Sequence, residues 1–237
     1  MDVSADSFGS WLRELPLAAP KTPVLSTRGA ELFPGEHDYV AGVIAIDTGK
    51  TDVQQSSEAV TRLHAEWMFA RGRRDLSYLA ATKDELPYDK WTRGMRVTAA
   101  GAKVFWVKKT KASDPNDRAE LRAYLDTVFA WGNSASVRLQ SDPVEADKLA
   151  PGDFFLKNDK SGHAVIVLDI AKKPTGERVA LLGHALPSAS SLYVLRLGPS
   201  TPWFSVRPPE AMLVPHAPKL EWSELRRLRD APKPEKR

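Results

Sequence analysis

Four apolar, β-rich runs at residues 153–157, 164–170, 178–183 and 191–197 follow one another with turn-forming clusters between them. The separators are Asn158-Asp159-Lys160-Ser161-Gly162, Pro174-Thr175-Gly176 and Pro187-Ser188. Such residues punctuate a chain because they supply positive φ, a fixed φ, or a side chain that bonds the nearby backbone. Connections this short leave no room for crossover helices, so consecutive runs pair antiparallel. The hairpin through Pro174-Thr175-Gly176 is the best specified of these pairings.

The first half is patterned differently. Phe8, Trp11, Leu12 and Leu15 stand at helical spacing and Pro16 stops that helix. Residues 18–36 read as loop, and residues 39–46 form a β-rich run closed by Asp47-Thr48-Gly49-Lys50. Over residues 51–69, Asp52 with Gln55 three positions later resembles a capping box, and Val60, Leu63 and Trp67 form an inward stripe. Four residues before Val60 lies Ser56, so a hydroxyl in the first helical turn falls on the buried side. Residues 72–110 combine loops carrying aromatic anchors with a strand near 103–107. Pro115 opens a further helix whose inward face is Leu121, Tyr124, Leu125, Val128 and Phe129, ended by Gly132-Asn133. Helices first and an antiparallel meander second make an α+β protein. The expected division is one α+β domain over residues 1–225 and a basic, Pro-containing flexible tail over 226–237.

Composition narrows the function classes. A chain of 237 residues with 42% hydrophobic and 27% charged residues is an ordinary globular one, long enough for a full core. The net charge is +4, and much of the excess lies in Arg226-Arg227-Leu228-Arg229, Lys233, Lys236 and Arg237, without the interleaved aromatics of a nucleic-acid stacking platform. No run approaches the roughly 18 apolar residues of a membrane span. The start, Met1-Asp2-Val3-Ser4-Ala5-Asp6, has no signal-peptide pattern, which fits a cytoplasmic chain or an exported one whose leader has been removed. Cysteine is absent, so disulfides and thiolate metal sites are excluded. No cofactor motif is present, and oligomeric state is not written in the sequence.

The residues that carry chemistry are Ser56, His163 and His184. Acyl transfer needs a nucleophile, a base in reach of it and a group that orients the base. Ser56 at a helix start, His163 opening one strand and His184 on the next supply that order. Free amides at the helix mouth, with Gln54 and Gln55 beside them, are candidate oxyanion donors. The competing reading is structural: a first-turn serine and two hydrogen-bonded strand histidines. A metal site from His163, His184 and Asp153 has no tight ligand motif behind it. His37, His64 and His216 carry no spacing signal, and Arg62 with Glu66 reads as an ion pair at a helix surface or core edge.

At these residues the chain resembles a bacterial family of uncharacterised proteins, domain of unknown function 4846. The resemblance runs from Ser7-Phe8-Gly9-Ser10-Trp11-Leu12 and Leu15-Pro16-Leu17, through Asp47 to Gln55 and Arg62-Leu63-His64-Ala65-Glu66-Trp67. It continues through Gly152-Asp153-Phe154-Phe155 and Gly162-His163-Ala164-Val165 to Pro202-Trp203-Phe204. In that family a cysteine follows the paired glutamines, where this chain has Ser56, and a glutamine commonly stands where it has His184. The family's cysteine–histidine–polar order is similar to that of NlpC-type cell-wall peptidases and amidases, a papain-like group. The resemblance implies a papain-like helix packed on an antiparallel sheet with N-terminal and mid-chain elaborations. It further implies a hydrolase that cuts an amide or ester in a peptide or cell-wall component, with Ser56 attacking, His163 as base and His184 orienting it. The alternative it leaves is an inactive relative that binds a peptide or glycan in the same cleft. A thiol can be pre-ionised at a helix N-terminus, whereas a hydroxyl cannot, so serine in this position is slow or dead unless its base is well placed.

Overall fold

The computed structural model describes residues 3–101, 103–157 and 162–230. In chain order the helices are α1 (Phe8–Arg13), α2 (Ser56–Ala70), α3 (Tyr88–Thr92), α4 (Arg118–Trp131) and α5 (Ser134–Leu139). The early strands are β1 (Val24–Leu25), β2 (Glu31–Phe33), β3 (Val40–Val43), β4 (Ser77–Leu79), β5 (Glu85–Pro87), β6 (Met95–Ala100) and β7 (Lys103–Lys108). The later ones are β8 (Ser141–Pro143), β9 (Phe154–Leu156), β10 (Ala164–Lys172), β11 (Arg178–His184), β12 (Tyr193–Leu195), β13 (Trp203–Ser205) and β14 (Leu225–Leu228). The protein is α+β, and among the described residues no helix is long and apolar enough to cross a membrane.

The main sheet runs β3-β12-β11-β10-β9-β14-β8, with every pairing antiparallel. Its centre is the β10–β11 hairpin, registered from Val165 opposite His184 to Lys172 opposite Arg178. β12 takes the Gly183–His184 end of β11, and β13 takes the Val179–Leu181 end. Both faces are covered, which explains why β10 reads as a continuous apolar run rather than an alternating one. Ala164, Ile166 and Leu168 pack with Ala59, Val60 and Leu63 of α2. Val165 and Val167 turn the other way, toward Leu182, Tyr193 and Leu195. A register slip between Val167 and Asp169 resets the alternation and sends Ile170 to that second side.

α2 is the spine of the molecule. Every residue from Ser56 to Phe69 is buried, so the inward stripe of Val60, Leu63 and Trp67 is one part of a helix enclosed all round. Its second side, with Ala65, Trp67, Met68 and Phe69, meets Leu121, Tyr124, Leu125, Val128 and Phe129 of α4. Residues 72–110, hard to read in sequence, fold as the β4–β5 and β6–β7 hairpins around α3 and add Tyr78, Leu86, Tyr88 and Trp91 to this layer. Enclosure obliges the polar side chains of α2 to find partners inside. Arg62 Nε donates to Glu66 Oε1 at 2.9 Å and Nη2 donates to Asp47 Oδ2 at 3.0 Å, while Arg118 Nη2 reaches Glu66 Oε2 at 2.6 Å. The Arg62–Glu66 pair therefore lies in the interior, each residue 5% exposed, and not on a helix surface.

Three local expectations are corrected. Asp52 does not cap α2: its Oδ1 accepts the Ala189 amide at 2.6 Å, and the N-cap is Gln55. Residues 18–36 hold the short β1–β2 pair as well as loop. The start of the expected tail is a sheet strand, because Leu225 and Leu228 are buried and the intervening arginines have partners. Arg226 Nε donates to Ser141 Oγ at 2.7 Å, and Arg227 holds the fully buried Asp153 with bonds of 2.6 and 2.9 Å. A run of arginines looks solvated in sequence because its counter-charges are remote in the chain. Residues 231–237 of that expected tail lie outside the described residues.

Arg227→Met leaves the Asp153 carboxylate buried without its cation and is expected to lower stability by about 3 kcal/mol in urea titrations. Adding Asp153→Asn should recover most of that loss. A single variant as stable as wild type would contradict the pairing.

Candidate functional site

The site begins where α2 begins. Gln55 is extended at the N-cap, with φ −78° and ψ −168°, and Ser56 is the first helical residue. The amides of the first turn have no acceptor within the helix, which makes the mouth locally electropositive. Ser56 Oγ accepts the amide of Ala164 at 3.1 Å. That single bond, spanning 108 residues of chain, fastens the helix mouth to the start of β10, one residue past His163. Gly162 lets the chain enter β10 close beside α5. Its φ is +58°, and a Cβ there would collide with the Ser134 side chain of α5, so both the backbone shape and the space select glycine.

The two histidines named from sequence meet. His163 Nε2 lies 2.5 Å from His184 Nε2, and the rings meet end to end, 4.7 Å between centroids and within 20° of a common plane direction. Beyond them, His184 Nδ1 is 2.7 Å from the Tyr193 hydroxyl, which the β11–β12 register places directly opposite. Phe33 packs edge-on against Tyr193 at 5.9 Å, and His216 packs on Phe33 at 4.4 Å. His184 is 1% exposed. Burial first, and then the charges of His163 and His216, push its pKa well below the ordinary imidazole value. Burial also raises the Tyr193 phenol above its ordinary value. Near neutral pH this row holds a neutral His184 and an un-ionised phenol.

A groove of about 300 Å³ opens at the helix mouth, walled by Gln55, Ser56, Ser57 and Glu58 on one side and by Asn133 and Gly162 on the other. Ser57 Oγ donates to Glu58 Oε1 at 2.9 Å. Burial raises the Glu58 carboxyl, against the opposing pull of the Ser57 hydroxyl and the backbone amides of Glu58 and Gln55. Ser56 and Gly162 line this groove, whereas neither imidazole of the pair does.

The remaining candidates divide. Gln55 is exposed at the mouth, in place to meet a ligand. Gln54 is buried, and its Oε1 accepts from Arg62 Nη1 at 3.2 Å and Arg122 Nη1 at 2.6 Å. It braces the α2–α4 contact and does not line the groove. Asp153, weighed as a metal ligand, is committed to Arg227 and to the Ala150 amide. Among the described residues no three histidine or acidic side chains converge in an arrangement that could hold a metal ion.

Comparison with known proteins decides the family. The model of the family described as domain of unknown function (4846) matches residues 1–227. The chain belongs to that family. The match takes in the helix mouth, both histidines and Tyr193. Neither a curated protein nor a solved structure matches the chain.

Ser57, Glu58 and Tyr193 are site residues that sequence reasoning missed. Glu58 stands three residues after the true N-cap, where a side chain reaches back to the cap amide, but in sequence the cap reads as Asp52. Tyr193 was accessible through register: a hairpin folded about Pro187-Ser188 sets it across from His184.

Acidification has a defined sign here. A histidine with a depressed folded pKa adds stability above its unfolded value near 6.5, and that stability is lost as pH falls toward the folded value. The raised Glu58 and Asp153 carboxyls act oppositely, since the folded chain takes up their protons first. Wild type should therefore lose on the order of 1 kcal/mol more per pH unit below about 6.5 than His184→Gln does, in parallel thermal melts. Identical pH profiles would show that His184 is not held neutral by burial. Gly162→Ala should also destabilise, by about 1 kcal/mol or more, and no loss in urea titration would contradict the tight approach to Ser134.

Proposed function

We propose that the groove at the mouth of α2 is a papain-like, NlpC-type cleft that binds a peptide or cell-wall-like ligand without turnover in the wild-type chain. The observation that carries this reading is the Ser56 hydroxyl, whose oxygen is already engaged by the Ala164 amide. A serine nucleophile needs its proton removed in concert with attack, by a base in hydrogen-bond reach. Here His163, one residue before Ala164, has its Nε2 committed to His184. What the groove offers instead are hydroxyls, the Gln55 amide, first-turn N–H groups and a buried carboxyl, a set suited to amide and sugar-hydroxyl partners.

Calorimetric titration with stem-peptide and disaccharide-peptide fragments of the cell wall tests this. Wild type should bind at least one fragment and leave it intact in mass spectra. Gln55→Ala and Ser57→Ala should each weaken binding by about threefold to tenfold, the effect of one lost hydrogen bond. No binding by wild type, or binding indifferent to both variants, would remove the groove from this role.

A hydrolase is the second reading, favoured by the order of Ser56 at a helix mouth, His163 at the facing strand start and His184 beside it. In that case a fluorophosphonate probe would label Ser56 of wild type and fail to label His163→Ala. The binding reading expects no label on either chain.

A further inference from the structure

We infer that Tyr193 is a positioning residue whose phenol holds the His163–His184 pair in a single tautomer, with hydrogen on His163 Nδ1, so that His163 cannot serve as a base through that nitrogen. The inference rests on the papain-like reading, in which His163 occupies the base position and His184 the orienting one.

The argument follows the hydrogens. Tyr193 is fully buried, and among the described residues the partner of its hydroxyl is His184 Nδ1, 2.7 Å away. A buried O–H without an acceptor is strongly disfavoured, so the phenol donates and His184 Nδ1 accepts. A neutral imidazole carries one N–H. The hydrogen of His184 must then sit on Nε2, where it points at His163 Nε2 across 2.5 Å. His163 Nε2 accepts, and the hydrogen of His163 is left on Nδ1. Reversing every bond would give His163 Nδ1 a lone pair but would leave the buried phenol hydrogen without its acceptor. The burial that keeps His184 neutral makes the tautomer well defined.

The consequence concerns the step a hydrolase would need. A base must present a lone pair, and the nitrogen of His163 not committed to His184 is Nδ1. With hydrogen fixed there, the imidazole donates a hydrogen bond and does not remove a proton. Tyr193 touches neither groove nor ligand and acts entirely through His184.

Long-range proton–nitrogen spectra of the uniformly nitrogen-15-labelled full chain, near pH 7.5 and without ligand, read this directly. In wild type, His184 Nδ1 and His163 Nε2 should resonate as unprotonated, pyridine-type nitrogens, and His184 Nε2 and His163 Nδ1 as protonated ones. A pyridine-type His163 Nδ1 overturns the inference. In Tyr193→Phe, the signal of His184 Nδ1 should lose its hydrogen-bond shift, and that of His163 Nδ1 should move toward an average of the two types. Unchanged shifts at both rings in a folded variant would overturn the part assigned to Tyr193. The wild-type pattern alone decides the tautomer if the variant does not fold. Because no ligand is used, failure here is separate from failure of the groove to bind.

Discussion

Everything in this molecule is arranged around a helix that has no wet side. α2 is enclosed between the main sheet and the α4 layer from its first residue to Phe69, and a helix so placed can keep its polar groups only if each has a partner. The neighbours that cover α2 therefore also supply most of its partners, His64 Nε2 being left 3.7 Å from the Asp230 carboxylate. Asp47, Gln54 and Arg118 are drawn to Arg62 and Glu66, Tyr78 bonds His64, and the Ala164 amide meets Ser56. The N-terminal end of the enclosed helix is where the groove opens.

That geometry gives the groove its chemistry. Its wall combines the first turn of α2, three serines, a glutamine, an asparagine and, besides Asp52, the Glu58 carboxyl whose ionisation burial disfavours. Neither imidazole lines the groove; the two meet through their Nε2 atoms and are backed by Tyr193. Within this row burial keeps His184 neutral and the Tyr193 phenol un-ionised at neutral pH. A buried row of neutral donors and acceptors fixes hydrogen positions well.

Much of this was legible before any coordinates. The β10–β11 hairpin, the inward face of α4 and the meeting of His163 with His184 followed from turn chemistry and periodicity, because these contacts are local or separated by one turn. The seam between Ser56 and the start of β10 was legible only as an order of residues, since no local rule places a helix mouth against a strand that far along the chain. Where sequence reasoning failed, a remote partner had changed the meaning of a residue. Asp52 looked like a cap until Ala189 claimed it. Arg226 and Arg227 looked like a solvated tail until Ser141 and Asp153 completed the sheet. Periodicity reports which side of an element is buried, and it carries no information about which distant polar group will be found there.

The central claim is that the mouth of α2 and the start of β10 meet through the Ser56 hydroxyl. Amide hydrogen exchange at Ala164, compared between wild type and Ser56→Ala, tests it most directly. A strongly protected amide in wild type that exchanges at least tenfold faster in the variant, with neighbouring β10 amides unchanged, is the predicted result. An Ala164 amide that exchanges freely in wild type, or one equally protected without the hydroxyl, would contradict it.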